Sequence, residues 1–236
     1  ASNAITCMRL AQRGFSGPGA AFDGVNGLWA QTVGSNPEIS LAEQAWCAGR
    51  TSLKRWPVRD SCQIGVLAAL DVHAQVSESK RIAKIEVDTY GSSYRNAVEE
   101  PALWRPATRE AADHSLPIAI GLALVFGDVD AAALDEGSFR DQAVMAVLDR
   151  MTVRVNEDFD RLTPAVKSIR LTVTLDTDEQ VVVERALREG EGPGLSDREI
   201  VEEKLNRYVD VGGAELLDQL VNGPLDVAMA EIVERF

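Results

Sequence analysis

Apolar residues recur along this chain with two periods, and the switches between them mark out its organisation. Ile5, Met8 and Ala11 share one face of a helix that the spacing predicts over residues 1–13, with Gly14 as its stop. A second helical face, Ile64, Leu67, Ala68 and Val72, opens at Ser61, a suitable N-cap. The period then drops to two. Ile85, Val87 and Thr89 alternate with Glu86 and Asp88, as expected of a half-buried strand. Val153 and Val155 give a second, short strand. Ile169, Leu171, Val173 and Leu175 alternate with polar residues, the chain turns over 176–180, and Val181 and Val183 begin a return strand, so this stretch reads as a hairpin.

Between the strands, the alanine-rich apolar run inside PATREAADHSLPIAIGLALVFGDVD predicts a buried helix closed by Gly127. A second, amphipathic helix is expected over 138–149. Gly190, Gly192, Pro193 and Gly194 form a linker, and Ser196 with Glu199 makes a capping box. The helix it opens places Val201, Leu205, Tyr208 and Val209 on one face. Two shorter helices, broken near Gly212–Gly213 and Gly223–Pro224, end the chain. The fold class is therefore α+β, with a largely antiparallel sheet, helices on one face and helical segments at both ends. Residues 1–50 and 191–236 read as parts of a helical body, and 51–190 as an α+β domain inserted into it.

Composition narrows the function classes. Hydrophobic residues are 45% and charged residues 26% of the 236, ordinary for a globular protein. The longest apolar run, Leu116 to Phe126, is far short of the roughly 20 residues a membrane span needs. The first residues lack the layout of a signal peptide. A net charge of −13 argues against nucleic acid or a membrane surface as partner, yet leaves room for a locally cationic pocket, because surface charge is screened within about 8 Å. Cys7, Cys47, Cys62, His73 and His114 have no metal-ligand spacing, so no metal is expected, and three unpaired thiols suit a reducing cytoplasm. The glycine-rich GFSGPGAAFDGVNGLW matches neither phosphate-loop pattern and reads as a turn region.

Several polar residues admit a plain structural role. Lys54 and Arg55 precede Pro57 on a loop and suit a solvated pair. Tyr90 closes the first strand and suits a sheet edge. Asp113 and Ser115 look like helix caps, with Pro117 in the first turn, and His114 stands between a structural and a site role. Arg105 and Arg109, beside Trp104, have the Glu99–Glu100 run as candidate partners.

Five strings give the chain a wider context: LAQRGFSGPGAAFDGVNGLW, LKRWP, the strand end VDTY, WRPATREAADHSLPIAIGLAL, and GPGLSDREIVEEKL. In this order they resemble the MmgE/PrpD family, whose members include 2-methylcitrate dehydratase and cis-aconitate decarboxylase. Ile118 stands where the family often has Tyr. The resemblance implies an all-helical domain, an α+β lid, and helices that rejoin the helical body, with most of the first domain and its catalytic residues outside this sequence. It implies a homodimer acting on small di- or tricarboxylates without metal or organic cofactor. Lys54, Gln63 and Arg109 would bind substrate, and Tyr90 and His114 would serve proton transfer. Dehydration of 2-methylcitrate, a hydro-lyase step of propionate catabolism, is the expected reaction. Decarboxylation of cis-aconitate and epimerisation of an amino-dicarboxylate stay open. So does a non-catalytic lid and dimerisation fragment that needs the helical half in cis or in trans.

Overall fold

The computed structural model describes residues 2–35, 51–76 and 79–208, together with Asp218. Cys47, Val209, the glycine breaks and the terminal helices expected after residue 210 lie outside the described residues. The chain divides into two compact units, Ala1–Trp46 and Cys47–Phe236.

The first unit carries helix α1 (Ser2–Gln12) and the short α2 (Leu28–Thr32), joined by the glycine-rich turns. Phe22 and Trp29 pack their rings 6.1 Å apart. Ile5, Met8, Leu10, Phe15 and Val25 are exposed.

In the second unit the chain runs through α3 (Asp60–Gln75), β1 (Ile82–Thr89), α4 (Gly91–Ala97), α5 (Arg109–Asp113), α6 (Leu116–Phe126), α7 (Glu136–Phe139), α8 (Gln142–Leu148), β2 (Met151–Val155), α9 (Glu157–Leu162), β3 (Val166–Leu175), β4 (Gln180–Arg188) and α10 (Asp197–Tyr208). This is the expected α+β class. The sheet order is β2-β1-β3-β4. It is mixed, which corrects the expectation of a largely antiparallel sheet. β1–β3 and β3–β4 are antiparallel, while β1–β2 is parallel. The reason is the long helical connection between β1 and β2, a crossover that returns the chain in the same direction.

The β3–β4 hairpin forms as its alternation predicts. Asp178 turns it with φ 64°, a left-handed conformation that Asp tolerates better than most residues. One sheet face is apolar: Ile85 and Val87 of β1 lie beside Leu171 and Val173 of β3, all fully buried, and α3 packs on it. The other face is polar. There Asp88 is paired in register with both Arg154 and Arg170, and Arg170 with Glu184.

Helix α6 is buried along Leu116–Leu124, so it has no polar face and no amphipathic period. Ser115 caps it by accepting the Ile118 N–H at 3.1 Å, and Gly127 ends it with φ 70°. α3 and α6 cross closely at Gly65, where a Cβ would stand 2.5 Å from Leu116 Cδ1. Two expectations shift. α3 begins at Asp60, after Arg59, so Ser61 lies in its first turn and is not its cap. The helix expected over 138–149 is two pieces, because Asp141 accepts the Ala143 N–H at 2.7 Å and starts α8 afresh. At α10 the capping box is formed: Glu199 Oε2 accepts from the Ser196 N–H at 2.8 Å and from its hydroxyl at 2.7 Å. These donors hold the Glu199 carboxyl below the usual range.

Candidate active site

The LKRWP loop enters the second unit just before α3 and is fixed from below by one side chain. Gln63 is buried, 3% exposed, and its amide is fully engaged with backbone. Oε1 accepts from the N–H groups of Arg55 at 3.0 Å and Trp56 at 3.2 Å. Nε2 donates to the carbonyls of Trp56 at 2.8 Å and Val58 at 2.9 Å. A non-repetitive loop leaves such groups unpaired, and a glutamine one helical turn away satisfies four of them. The loop then joins the segment before α6, since the Arg59 N–H donates to the Asp113 carbonyl at 2.8 Å.

These ties shape a cavity of about 250 Å³, smaller than the range of about 300–1,000 Å³ typical of drug-sized ligands. Its wall is apolar at Trp56, Pro57 and Val58, and cationic at Lys54, Arg59 and Lys204; Asp113 and His114 complete it. No ion pair involves Lys54, Arg59 or Lys204 among the described residues. Burial depresses the pKa of Lys204, and Lys54 depresses it further, while Glu203 opposes the shift. Like charges facing one another across a cavity are costly unless an anion sits between them.

His114 projects from the end of α5 with its ring half-exposed. Its Nδ1 meets two acceptors, the Asp113 carboxylate and the Glu110 carbonyl, the latter at 2.8 Å. Both being acceptors, the ring proton belongs on Nδ1, and Nε2 carries the lone pair. The cavity therefore combines three cationic side chains with an imidazole held in one tautomer.

A larger groove, about 850 Å³, runs between α3, β4 and the start of α10. Its Arg185 is paired with Asp71 at 2.7 Å, and Glu191, Asp197 and Glu199 line it as well. Acidic walls suit it poorly to an anion.

Residues 56–216 match the model of the MmgE/PrpD C-terminal domain, more than half of the chain. The chain belongs to the MmgE/PrpD family. A comparison with curated proteins returns no match.

Of the five residues singled out in the sequence of this MmgE/PrpD chain, the structure brings Lys54 and His114 to one cavity. Gln63 lies beneath it, its amide occupied by the loop. Arg109 begins α5 and points to Asp135, at 3.5 Å, and Arg105 pairs with Asp149, so neither meets the Glu99–Glu100 run. Tyr90 is buried at the start of α4 and is not among the lining residues. Burial, and then the negative charge of Asp60, push its phenol pKa well above the ordinary value, so it keeps its proton. Arg59 and Lys204 are not among the site residues that the sequence singles out. Lys204 is the last residue but one of the fifth string, yet only the packing of α10 brings it to the LKRWP loop.

Proposed function

We propose that the second unit supplies the lid side of a lyase site for small di- and tricarboxylates, and that the reaction is dehydration of 2-methylcitrate by acid–base catalysis. The convergence of three cations, unpaired among the described residues, on one small cavity in a chain of net charge −13 carries this reading. Lys54, Lys204 and Arg59 bind carboxylates and stabilise the extra negative charge that develops when a proton leaves the adjacent carbon. His114 Nε2 takes that proton, with Asp113 steadying the imidazolium. The C–H electron pair becomes the second bond of the alkene, the C–O bond breaks, and the hydroxyl leaves as water by taking up the proton that the His114 imidazolium holds. Tyr90, buried outside the lining of this cavity and keeping its own proton, takes no direct part in this reading. The acid chemistry fits decarboxylation of cis-aconitate and amino-dicarboxylate epimerisation less directly, since neither releases water.

The exposed apolar residues of the first unit favour a complementary reading for its surroundings. Ile5, Met8, Phe15 and Val25 suit packing against helices of the family's helical half, in cis or in trans, or within a homodimer. The test is turnover of 2-methylcitrate, citrate and cis-aconitate, followed by alkene absorbance and carbon dioxide release, with Lys54→Ala alongside. Water loss from 2-methylcitrate that the variant abolishes supports the proposal. Carbon dioxide release from cis-aconitate replaces the reaction, and no turnover in the presence of the helical half removes it.

A further inference from the structure

We infer that the Arg55–Glu203 ion pair is the positioning device of the cavity, setting where Lys204 stands relative to Lys54. This rests on the carboxylate-binding reading of that cavity. Each member of the pair is the chain neighbour of one of the two lysines. Arg55 follows Lys54 on the loop, and Glu203 precedes Lys204 on α10. Whatever fixes Arg55 to Glu203 thus fixes the two backbone positions from which the lysine side chains extend to the cavity they both line.

The pair is well made. Arg55 Nε and Nη2 both reach Glu203 Oε2, at 3.0 and 2.9 Å, and the two side chains are only 23% and 27% exposed. The guanidinium also lies over the Trp56 ring, 4.8 Å from its centroid. Glu203 Oε1 faces Arg207 at 3.6 Å, and Arg207 reaches Asp128 at 2.9 Å in the turn after α6. The chain of charges therefore runs from the loop, through α10, to the far end of the core helix. Apolar anchoring of α10 comes from Ile200 and Leu205, both buried. Two aliphatic contacts hold a helix against a surface but constrain its rotation weakly. The directional pair on the remaining side sets that rotation.

An ordinary structural ion pair and a positioning device make opposite predictions for Lys204. The titratable and charged groups that line the cavity with Lys204 are Lys54, Arg59, Asp113 and His114, and Glu203 precedes it on its own helix. Deleting the Glu203 charge while the geometry stays put removes a favourable carboxylate and lowers the Lys204 pKa further. Releasing Lys204 into water, away from Lys54, raises it.

The experiment is an NMR titration of the Lys204 side chain in the full chain and in Glu203→Gln, with citrate affinity measured calorimetrically on both. Thermal unfolding checks that the variant is folded; if it is not, Arg55→Lys, which keeps the charge but loses the two-pronged contact, takes its place and is expected to raise the Lys204 pKa as well. The expected result is a rise in the Lys204 pKa and a loss of citrate affinity of about tenfold, the size of one directional charged contact. A Lys204 pKa that falls or holds, or an unchanged citrate affinity, overturns the inference. Failure of the wild-type chain to bind citrate overturns the reading of the cavity itself, and is seen before any variant is compared.

Discussion

The amide of Gln63 grips Trp56 from both ends, accepting from its N–H at 3.2 Å and donating to its carbonyl at 2.8 Å. A substrate ligand would need some of that hydrogen-bonding capacity free. Gln63 instead spends it holding open the loop that carries Lys54 and walls the cavity.

Replacing Gln63 by Ala therefore leaves four backbone groups without their partner. Solvent recovers some of them, and the expected destabilisation is about 2–4 kcal/mol, since a buried group left unpaired costs about 1–3 kcal/mol. Urea unfolding measures it. A companion loss of citrate affinity is expected, because the loop bearing Lys54 loosens. A variant as stable as wild type would remove the clamp from the account.

Much of this was legible in the sequence, for physical reasons that differ by element. The period-two run of β1 and the alternation of β3 and β4 were readable because one sheet face is apolar and the other polar. Ser115, Gly127 and the Ser196–Glu199 box were readable because capping is local chemistry. The parallel pairing of β2 was hidden: its five residues carry no directional signal, and a crossover is a long-range choice. The break at Asp141 was hidden because an internal cap and a solvent-facing Asp look alike along the chain. In the site, Lys54 and His114 stood out through the motifs that hold them. Lys204 and Arg59 did not, because their meaning lies in meeting Lys54, which no spacing encodes.

Citrate affinity should fall as pH rises toward the alkaline side. The folded pKa of Lys204 lies below its ordinary 10.5. Below that folded value the ammonium is charged and available to a carboxylate. Above it the free protein has lost the proton, and binding must take one up. Between the folded value and 10.5 the unfolded chain holds more protons than the native one, so stability of the unliganded protein rises with pH over the same window as far as this group is concerned. Calorimetry in buffers of different ionisation enthalpy reads the proton uptake directly; none at any alkaline pH would exclude Lys204 from the ligand.

Across the polar sheet face, Asp88 is buried between Arg154 and Arg170, with Arg170 Nη1 at 3.6 Å and Arg170 Nη2 reaching on to Glu184 at 2.7 Å. Asp88→Ala leaves two guanidinium groups without their shared acceptor across three strands. Arg154 is open to solvent and Arg170 partly so, so a modest fall in the unfolding temperature is expected. Thermal unfolding at low and high salt checks it, and a salt-independent effect would point to packing instead of charge.

Cys62 is fully buried, and burial pushes its thiol up to about 12. Cys7 is exposed. Alkylation of the native protein at neutral pH, mapped by peptide mass, should mark Cys7 and spare Cys62 until the chain unfolds, since the thiolate is the reactive form. Modification of native Cys62 at the rate of Cys7 would contradict the burial of the α3 N-terminus beneath the site.

The most direct test of the account is equilibrium binding of 2-methylcitrate to the wild-type chain, to Lys54→Ala and to Arg109→Ala. The cavity predicts saturable binding that weakens by about tenfold or more without Lys54, as loss of a charged contact requires, and that barely changes without Arg109, which points to Asp135. Binding indifferent to Lys54, or dependent on Arg109 instead, would place the carboxylate site elsewhere and contradict the account.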